Sequence, residues 1–334
     1  PGIEVKMLTP DQSTSDFSID FKTSALERLP VVSLRSRAQK YCYAISGVLE
    51  KEDFDIVFIN DMYLAFDAVR KLDLPVFVML HDYNAITRRT EGRRSITLWF
   101  RRSMEKSVAQ GASKVLTNSQ YMKKLLISQY GCDTDQVGVL NLAFRDYSKL
   151  PFSIRKPDQD NLRIIFVKWN FNQGGLADLV AAIEQLTEFN ISLTIVSQEE
   201  AVIRRRIPTL NSAEQNYEFV GPIQDHDQLM TLLSEHDILC IPSYNEALGV
   251  TLAEGLAMGL TVISSDVGGI PEVLDNGRFG HMVRPGDIKG LEVAIRSSLV
   301  DSPDIAKRKR AARSYIESHY SKSAMLKDLF AYFQ

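Results

Sequence analysis

Two doubly wound α/β domains, each built on a parallel sheet, are the architecture this sequence predicts. Three observations carry the expectation. Short β-branched apolar runs alternate with longer amphipathic stretches along most of the chain, the pattern of βαβ units. The 334 residues exceed what one hydrophobic core usually serves. A polar segment of linker composition, Arg155-Lys156-Pro157-Asp158-Gln159-Asp160-Asn161 after Pro151, interrupts the alternation almost mid-chain.

In the first half, strands are expected at Ile3–Leu8, Ile56–Ile59, Val76–Leu80, Lys114–Thr117 and Val137–Leu140. Helices are expected at Ser36–Glu50, Leu64–Leu72, Thr97–Gly111 and Gln120–Tyr130. The strands read as continuous apolar runs, as strands buried on both faces do. After the break come strand Arg163–Val167, helix Gly175–Leu186, and strands Ser192–Val196 and Tyr217–Val220. Helix Asp227–Ser234, strand Ile238–Ile241, helix Gly249–Met258, strand Thr261–Ser264 and helix Leu291–Leu299 follow. The domains are therefore expected over residues 1–150 and from 151 onward. Ligands of such sheets sit at the carboxyl ends of the strands, and two facing domains place a cleft between those ends.

Composition excludes several classes. An apolar fraction of 45% rules out disorder for the bulk of the chain. No apolar run approaches the roughly 18 residues of a membrane helix. The opening Pro1-Gly2-Ile3-Glu4 turns polar at once, so no signal peptide is read; a start without Met implies a trimmed, processed or incomplete chain. Cys42, Cys132 and Cys240 lack the spacing of a disulfide framework or a zinc site, which suits a reducing cytoplasm. A net charge of −3 gives no support for a nucleic-acid binder. Three Asp-x-Asp pairs, Asp53/Asp55, Asp133/Asp135 and Asp225/Asp227, stand at turns or helix starts, where Asp serves as a cap. They are read as structural, and no catalytic metal or other cofactor is expected.

The charge is unevenly spread. Residues 1–150 carry 21 basic and 18 acidic residues, the remainder 18 and 24. Residues 88–106, RRTEGRRSITLWFRRSMEK, hold seven basic and two acidic residues: Arg88, Arg89, Arg93, Arg94, Arg101, Arg102 and Lys106 against Glu91 and Glu105. Trp99, Phe100 and Met104 accompany them. Two readings stand: a solvated helix face over a partly buried aromatic pair, or a basic-aromatic surface for anionic lipid or a lipid-linked acceptor. The run Lys307-Arg308-Lys309-Arg310 is read as an exposed helix face.

The most informative stretch is Ile238–Asp287, ILCIPSYNEALGVTLAEGLAMGLTVISSDVGGIPEVLDNGRFGHMVRPGD. It reads as strand, loop Pro242–Ala247, helix from Gly249, strand, a second glycine loop at Gly268-Gly269, and a helix opened by Pro271-Glu272. Two successive strand-loop-helix turns of small residues bring unsatisfied backbone amides together, which suits an anion and a diphosphate above all. Glu246 and Glu254 bracket the first helix start. A carboxylate there can accept two hydrogen bonds from a vicinal diol such as a ribose, or it can be a helix-dipole acid and nothing more.

Glu246 and Glu254, inside PSYNEALGVTLAEGLAMG…SSDVGGIPEV, resemble the nucleotide-sugar signature of the retaining, family-4-type glycosyltransferases with the GT-B fold, two Rossmann-like domains facing across a cleft. The likeness extends to Tyr217–Pro222 with Asp237–Ser243 as the base-binding strand and loop, and to Pro75–Asp82 as a strand ending in a cleft histidine. Leu116–Ser119 and Val137–Asn141 resemble later strands of the first domain. The second domain would run over 151–310, with helices over 311–334 crossing back to the first.

The resemblance implies roles. Glu254 would hold the donor ribose and Glu246 the sugar ring. The amides of Leu248, Gly249 and Val250 would meet sugar and phosphate, with a hydroxyl from Thr251. The backbone at Pro222 and Ile223 would face the base, and His81 would stand beside the transferred sugar. The donor would be a nucleotide diphosphate sugar, and the acceptor a saccharide, a lipid-linked glycan or a protein. The protein would be cytoplasmic, peripheral at an anionic membrane, and open to a partner chain or an oligomer.

Two departures mark the chain. The family places an Arg and a Lys in the loop after the first strand of the second domain, aimed at the diphosphate. Here that loop reads Phe166-Val167-Lys168-Trp169-Asn170-Phe171-Asn172-Gln173-Gly174-Gly175, with Trp169 and Gly174 at those positions. Lys168 and Asn170 are the remaining candidates, although a one-residue shift along a strand turns a side chain to the opposite face. Family members also open with a strand, a glycine-rich loop and a helix before the stretch that Gly2-Ile3-Glu4-Val5 resembles, so the first domain is expected to lack them. Three functions stay open: a glycosyltransferase, a non-catalytic relative acting as partner or acceptor-recognition subunit, and a nucleotide-sugar epimerase or hydrolase.

Overall fold

The structure is a computed structural model that describes residues 8–9, 17–18, 30–81, 96–142, 146–147, 150, 152, 154–155, 158, 160–198, 200–211, 216–299 and 303–333. Residues 3–7 of the first expected strand, Gly2–Val5, and Arg88, Arg89, Arg93 and Arg94 lie outside them. The chain divides into two compact units, Pro1–Val139 and Leu140–Gln334.

In the first unit two short strands, β1 (Leu8–Thr9) and β2 (Phe17–Ser18), pair parallel. There follow α1 (Pro30–Leu49), β3 (Val57–Ile59), α2 (Ala65–Lys71), β4 (Val76–Leu80), α3 (Ile96–Gly111), β5 (Lys114–Thr117), α4 (Gln120–Tyr130) and β6 (Val137–Val139). The main sheet runs β3-β4-β5-β6, parallel throughout. Val78, Met79, Leu80, Val115 and Leu116 are buried, as their continuous apolar runs require. Helix α4 is delimited by its caps: Ser119 Oγ accepts from the Met122 amide at 3.2 Å, and Gly131 closes it in the left-handed conformation, φ 68°.

A buried carboxylate on α3 joins α4 and the turn that precedes α2. Glu105 on α3, 1% exposed, accepts from Tyr63 Oη and from Tyr130 Oη, both at 2.5 Å. Burial and the adjacent carboxylate push both phenol pKa values far up, so the hydroxyls remain donors at any physiological pH. Glu105→Ala leaves two donors without their acceptor and is expected to cost roughly 3 kcal/mol. Adding Tyr63→Phe and Tyr130→Phe to Glu105→Leu should recover most of that loss, because the orphaned donors go too. Urea midpoints of the four proteins check it.

The second unit contains β7 (Leu162–Val167), α5 (Leu176–Glu184), β8 (Ile191–Val196), α6 (Glu200–Arg206), β9 (Asn216–Val220), α7 (His226–Ser234) and β10 (Ile238–Ile241). It continues with α8 (Val250–Met258), β11 (Thr261–Ser265), α9 (Ile270–Val273), β12 (His281–Val283), α10 (Ile288–Ser298), α11 (Pro303–Tyr320) and α12 (Lys322–Ala331). All six strands are parallel in the order β12-β11-β10-β7-β8-β9. The chain starts mid-sheet at β7, winds outward to β9, then returns through β10 to the other edge. The order reverses between β7 and β10, and at such a switch point the loops leaving the two strands diverge and open a crevice.

Two features differ from the sequence expectation. α6, a basic segment with a single buried residue, Ile203, and the three-residue β12 have too little apolar pattern to be read locally. The run Lys307–Arg310 is not uniformly exposed. Lys309 is 6% exposed, and burial lowers its pKa to about 8. The inward turn follows from helical periodicity, which brings one residue of any such run toward the core.

Arg313 on α11 ties that helix down. Its guanidinium donates to the Ala257 carbonyl at the end of α8 at 3.2 Å, and to the carbonyls of Tyr147 at 2.5 Å and Leu150 at 3.0 Å. Tyr147, 1% exposed, belongs to the core of this second unit, and Asp146 bonds the start of α12 at Ser323. Cys42, Cys132 and Cys240 are free thiols, all buried. Among the described residues no helix is long and apolar enough to cross a membrane.

Candidate functional site

Three loops at the carboxyl ends of β7, β10 and β11 meet backbone to backbone. Gly175, φ 74°, lies so close to the next loop that an added Cβ would stand 2.2 Å from the Pro242 carbonyl oxygen. At Gly268, φ 60°, a Cβ would stand 1.7 Å from the Glu246 carbonyl oxygen, and at Gly269, 2.4 Å from that of Ala247. Hydrogen bonds lace the same seams: the Tyr244 amide donates to the Gln173 carbonyl at 2.8 Å and the Gly269 amide to that of Glu246 at 3.2 Å. Glycine is needed here because the backbones touch.

Helices α5 and α8 both leave this junction from left-handed glycines, Gly175 and Gly249 (φ 98°), and neither receives a side-chain cap. At α5 the amides of Leu176 and Asp178 already donate to the carbonyls of Phe171 at 3.2 Å and Gly175 at 3.1 Å, so it is the amides of Val250 and Thr251 at the start of α8, with the positive ends of both dipoles, that are left for an anion. The glycine pattern of the sequence points to the β10 and β11 loops, and the family resemblance to the β7 loop. Leu248 is buried at 1% exposure, while Val250 and Thr251 at the start of α8 are half-buried.

Glu254, 2% exposed in the second turn of α8, carries a carboxylate whose Oε1 accepts no aligned hydrogen bond. His226, the first residue of α7, brings Nε2 to 3.0 Å from that oxygen. A buried carboxylate with unused acceptor capacity is costly, and a ligand with hydroxyl donors would satisfy it. Proximity of His226 to Glu254 was not readable in sequence, since the packing of α7 on α8 creates it. Pro222, exposed, and half-buried Ile223 occupy the turn between β9 and α7 that delivers His226.

Glu246 does not stand alone. Lys168, one residue beyond β7, extends its ammonium to Glu246 Oε2, the two side chains being 22% and 18% exposed. Lys168, a candidate in sequence despite the one-residue shift, reaches Glu246 because strand alternation ends with the strand and the chain past Val167 already belongs to the loop. Asn170 shapes that loop, its Oδ1 accepting from the Gln173 amide at 3.2 Å and its carbonyl from the Gly174 amide at 3.0 Å. Trp169 is 71% exposed.

In the first unit, His81 at the end of β4 places Nε2 2.6 Å from Asn60 Oδ1. An amide oxygen only accepts, so Nε2 carries the proton. Burial lowers the His81 pKa, which favours the neutral ring. Asn118, 4% exposed after β5, donates to the His81 carbonyl at 2.9 Å, and its own Oδ1 is buried without a hydrogen bond. Three consecutive strand ends thus present Asn60, His81 and Asn118 together.

The basic-aromatic segment is only partly outward. Trp99 is 70% exposed, and Arg102 and Lys106, on the same helical face, are exposed. Met104 is 1% exposed, and the guanidinium of Arg101 lies 5.9 Å from the Tyr63 ring with its Nε buried. Arg101 and Met104 thus leave the surface set: the face of α3 opposite Trp99 packs inward. The Asp pairs behave as caps where bonds are visible, with Asp225 Oδ1 accepting from the Asp227 amide at 2.9 Å and Asp133 Oδ1 from the Asp135 amide at 3.0 Å.

Comparison with known proteins finds matches over both halves of the chain. Residues 1–142 match the family model described as Glycosyltransferase Family 4, and residues 162–301 match Glycosyl transferases group 1. A glycogen synthase of Mycobacterium tuberculosis (strain ATCC 25618 / H37Rv) is 27% identical over 283 residues, covering 80% of this chain and 65% of that protein. Less than two thirds of that relative is therefore spanned. The structure superposes on sucrose-phosphate synthase from Thermosynechococcus elongatus with a TM-score of 0.77 at 21% identity, covering 95% of this chain and 82% of the other. For Anabaena HepE in complex with UDP-glucose the TM-score is 0.70 at 18% identity, with 95% and 85% covered. The two parallel α/β sheets, the glycine junction around Glu246 and Glu254, and matches over both halves lead to one assignment: this chain belongs to the family-4-type glycosyltransferases with the GT-B fold.

Proposed function

We propose that this chain is a retaining glycosyltransferase that moves a sugar from a nucleoside diphosphate donor to an acceptor hydroxyl. The observation that carries the reading is Glu254, a buried carboxylate whose Oε1 has His226 Nε2 3.0 Å away but no aligned hydrogen bond, on a helix whose start carries no side-chain cap. The ribose diol donates to Glu254, the diphosphate lies on the amides of Gly249 and Val250 with Thr251 beside it, and the base lies against Pro222-Ile223. In the transfer, the bond between the anomeric carbon and the distal phosphate oxygen breaks and that electron pair leaves with the nucleoside diphosphate. The acceptor oxygen bonds the anomeric carbon, and its proton is released. Charge accumulates on the leaving diphosphate, where fixed amides and a lysine stabilise it most. Lys168 and the helix amides, rather than a metal ion, take that role in this reading. His81 is assigned to the transferred sugar. The complex of HepE with UDP-glucose supports a nucleotide sugar as donor class.

A thermal-shift screen of UDP-, GDP-, ADP- and TDP-sugars, followed by an assay of released nucleotide, tests the proposal. Stabilisation by one donor with release of its nucleotide is expected. Failure to bind any of them would remove the donor assignment. Binding without turnover would favour the second reading, a non-catalytic relative, for which Trp169 and Gly174 in the diphosphate loop speak.

The acceptor is taken to be a saccharide, a lipid-linked glycan or a protein, reached from an anionic membrane surface through the Trp99, Arg102 and Lys106 face of α3. Co-sedimentation with vesicles of phosphatidylglycerol and phosphatidylcholine should be strong at low salt and weak at high salt. It should fall several-fold in Trp99→Ser/Arg102→Ser. Equal binding to neutral vesicles would contradict it.

A further inference from the structure

The loop after β7 holds Trp169 and Gly174 where the family resemblance implies an Arg and a Lys, yet its side chains are not arranged at random. Gly174 is absent from the left-handed residues, so nothing in its backbone conformation demands glycine. What demands it is space. A Cβ at residue 174 would stand 2.6 Å from Phe166 Cζ, 2.9 Å from Lys168 Cγ and 3.0 Å from Lys168 Cβ. Phe166 is wholly buried and cannot yield. The first two carbons of Lys168 are held by their own backbone, whose carbonyl accepts from Ser197 Oγ at 2.7 Å. A side chain at 174 and the present path of Lys168 therefore exclude each other.

We infer that the diphosphate cation of this site has moved from residue 174 to Lys168, and that Glu246 holds its ammonium until a nucleotide sugar takes it over. This rests on the donor-site reading above and gives that site a selectivity. In the free protein Lys168 and Glu246 neutralise one another, both largely withdrawn from solvent. An entering diphosphate competes for the ammonium and leaves Glu246 a charged acceptor without its cation, which is costly in a half-buried site. A sugar still attached to the diphosphate brings hydroxyl donors to Glu246 and offsets the loss; a bare nucleoside diphosphate brings none. The pair thus favours the intact donor over the spent nucleotide and assists product release.

Isothermal titration with UDP, GDP, ADP and TDP, all without sugar, tests the inference on the nucleotide the parent binds best. Lys168→Met, which keeps the stem that packs on Gly174, should weaken binding about tenfold. Glu246→Gln should tighten it about threefold to tenfold, because the competing charge is gone. Gly174→Lys, which puts there the residue that the family resemblance implies, should weaken binding like Lys168→Met, since it evicts the working lysine. Glu246→Gln binding no tighter than the parent, or Gly174→Lys binding tighter, would overturn the relocation. If the parent binds nucleotides and Glu254→Ala does not, while Lys168 and Glu246 variants match the parent, the donor site stands and the relocation alone falls. If the parent binds none of the four, the donor site falls and the relocation with it.

Discussion

Gly268→Ala is expected to destabilise the second unit by roughly 3–5 kcal/mol, near the upper end of what single substitutions do. Two independent penalties add. Alanine at φ 60° pays the left-handed cost of an L-residue, about 1–2 kcal/mol. Its Cβ would also stand 1.7 Å from the Glu246 carbonyl oxygen, so the β10 loop must move by more than an ångström. That loop carries Glu246 and leads into α8, so nucleotide binding should fail together with stability. Gly47→Ala in α1 is the contrast: no atom lies within 4 Å of the added carbon, and a helix interior favours alanine by about 0.5–1 kcal/mol. Denaturant midpoints of the two variants should therefore shift in opposite directions. A Gly268→Ala protein as stable as the parent would show that the two loops do not touch.

Glu254→Gln should separate function from stability. The carboxylate is almost wholly buried, and His226 Nε2, 3.0 Å from its Oε1, is not aligned to donate to it, so burial costs the charge more than this neighbour returns. A neutral amide of the same shape is expected to leave the unliganded protein as stable as the parent, or more stable by up to about 1 kcal/mol. Nucleotide binding is a different matter. Two ribose hydroxyls bonded to a carboxylate contribute about 1.5 kcal/mol each, so losing the charge should weaken binding on the order of a hundredfold. An improved melting temperature with lost affinity is the expected pair of results. Loss of stability with affinity unchanged would make Glu254 a structural acid.

Much of the second unit is legible in sequence because its strands are buried on both faces and its turns demand particular residues. The expected strand Ile238–Ile241 is observed over those residues, and the expected helix from Gly249 runs over Val250–Met258 with Gly249 as its left-handed start. The strand expected at Thr261–Ser264 extends one residue further, to Ser265. Glu254 could be singled out because it brackets, with Glu246, the helix start that follows a loop of small residues, inside the stretch that resembles the nucleotide-sugar signature. What could not be read depends on contacts between segments far apart in the chain. His226 meets Glu254 only because α7 packs beside α8, and Glu105 finds its tyrosines on α4 and on the turn that precedes α2. Lys168 could be named only as a remaining candidate, because alternation carried one residue past the end of β7 would turn it to the opposite face. The dependence of Lys168 on Gly174 is a matter of volume, which no motif records.

The central claim is that the junction of the β7, β10 and β11 loops is a nucleoside diphosphate site. A crystal structure with bound nucleoside diphosphate measures it most directly. The ribose hydroxyls should lie within hydrogen-bond distance of the Glu254 carboxylate and the distal phosphate against the amides of Gly249 and Val250, with the Lys168 ammonium turned from Glu246 onto the phosphate. A nucleotide bound away from Glu254, with the Lys168–Glu246 pair undisturbed, would contradict the account.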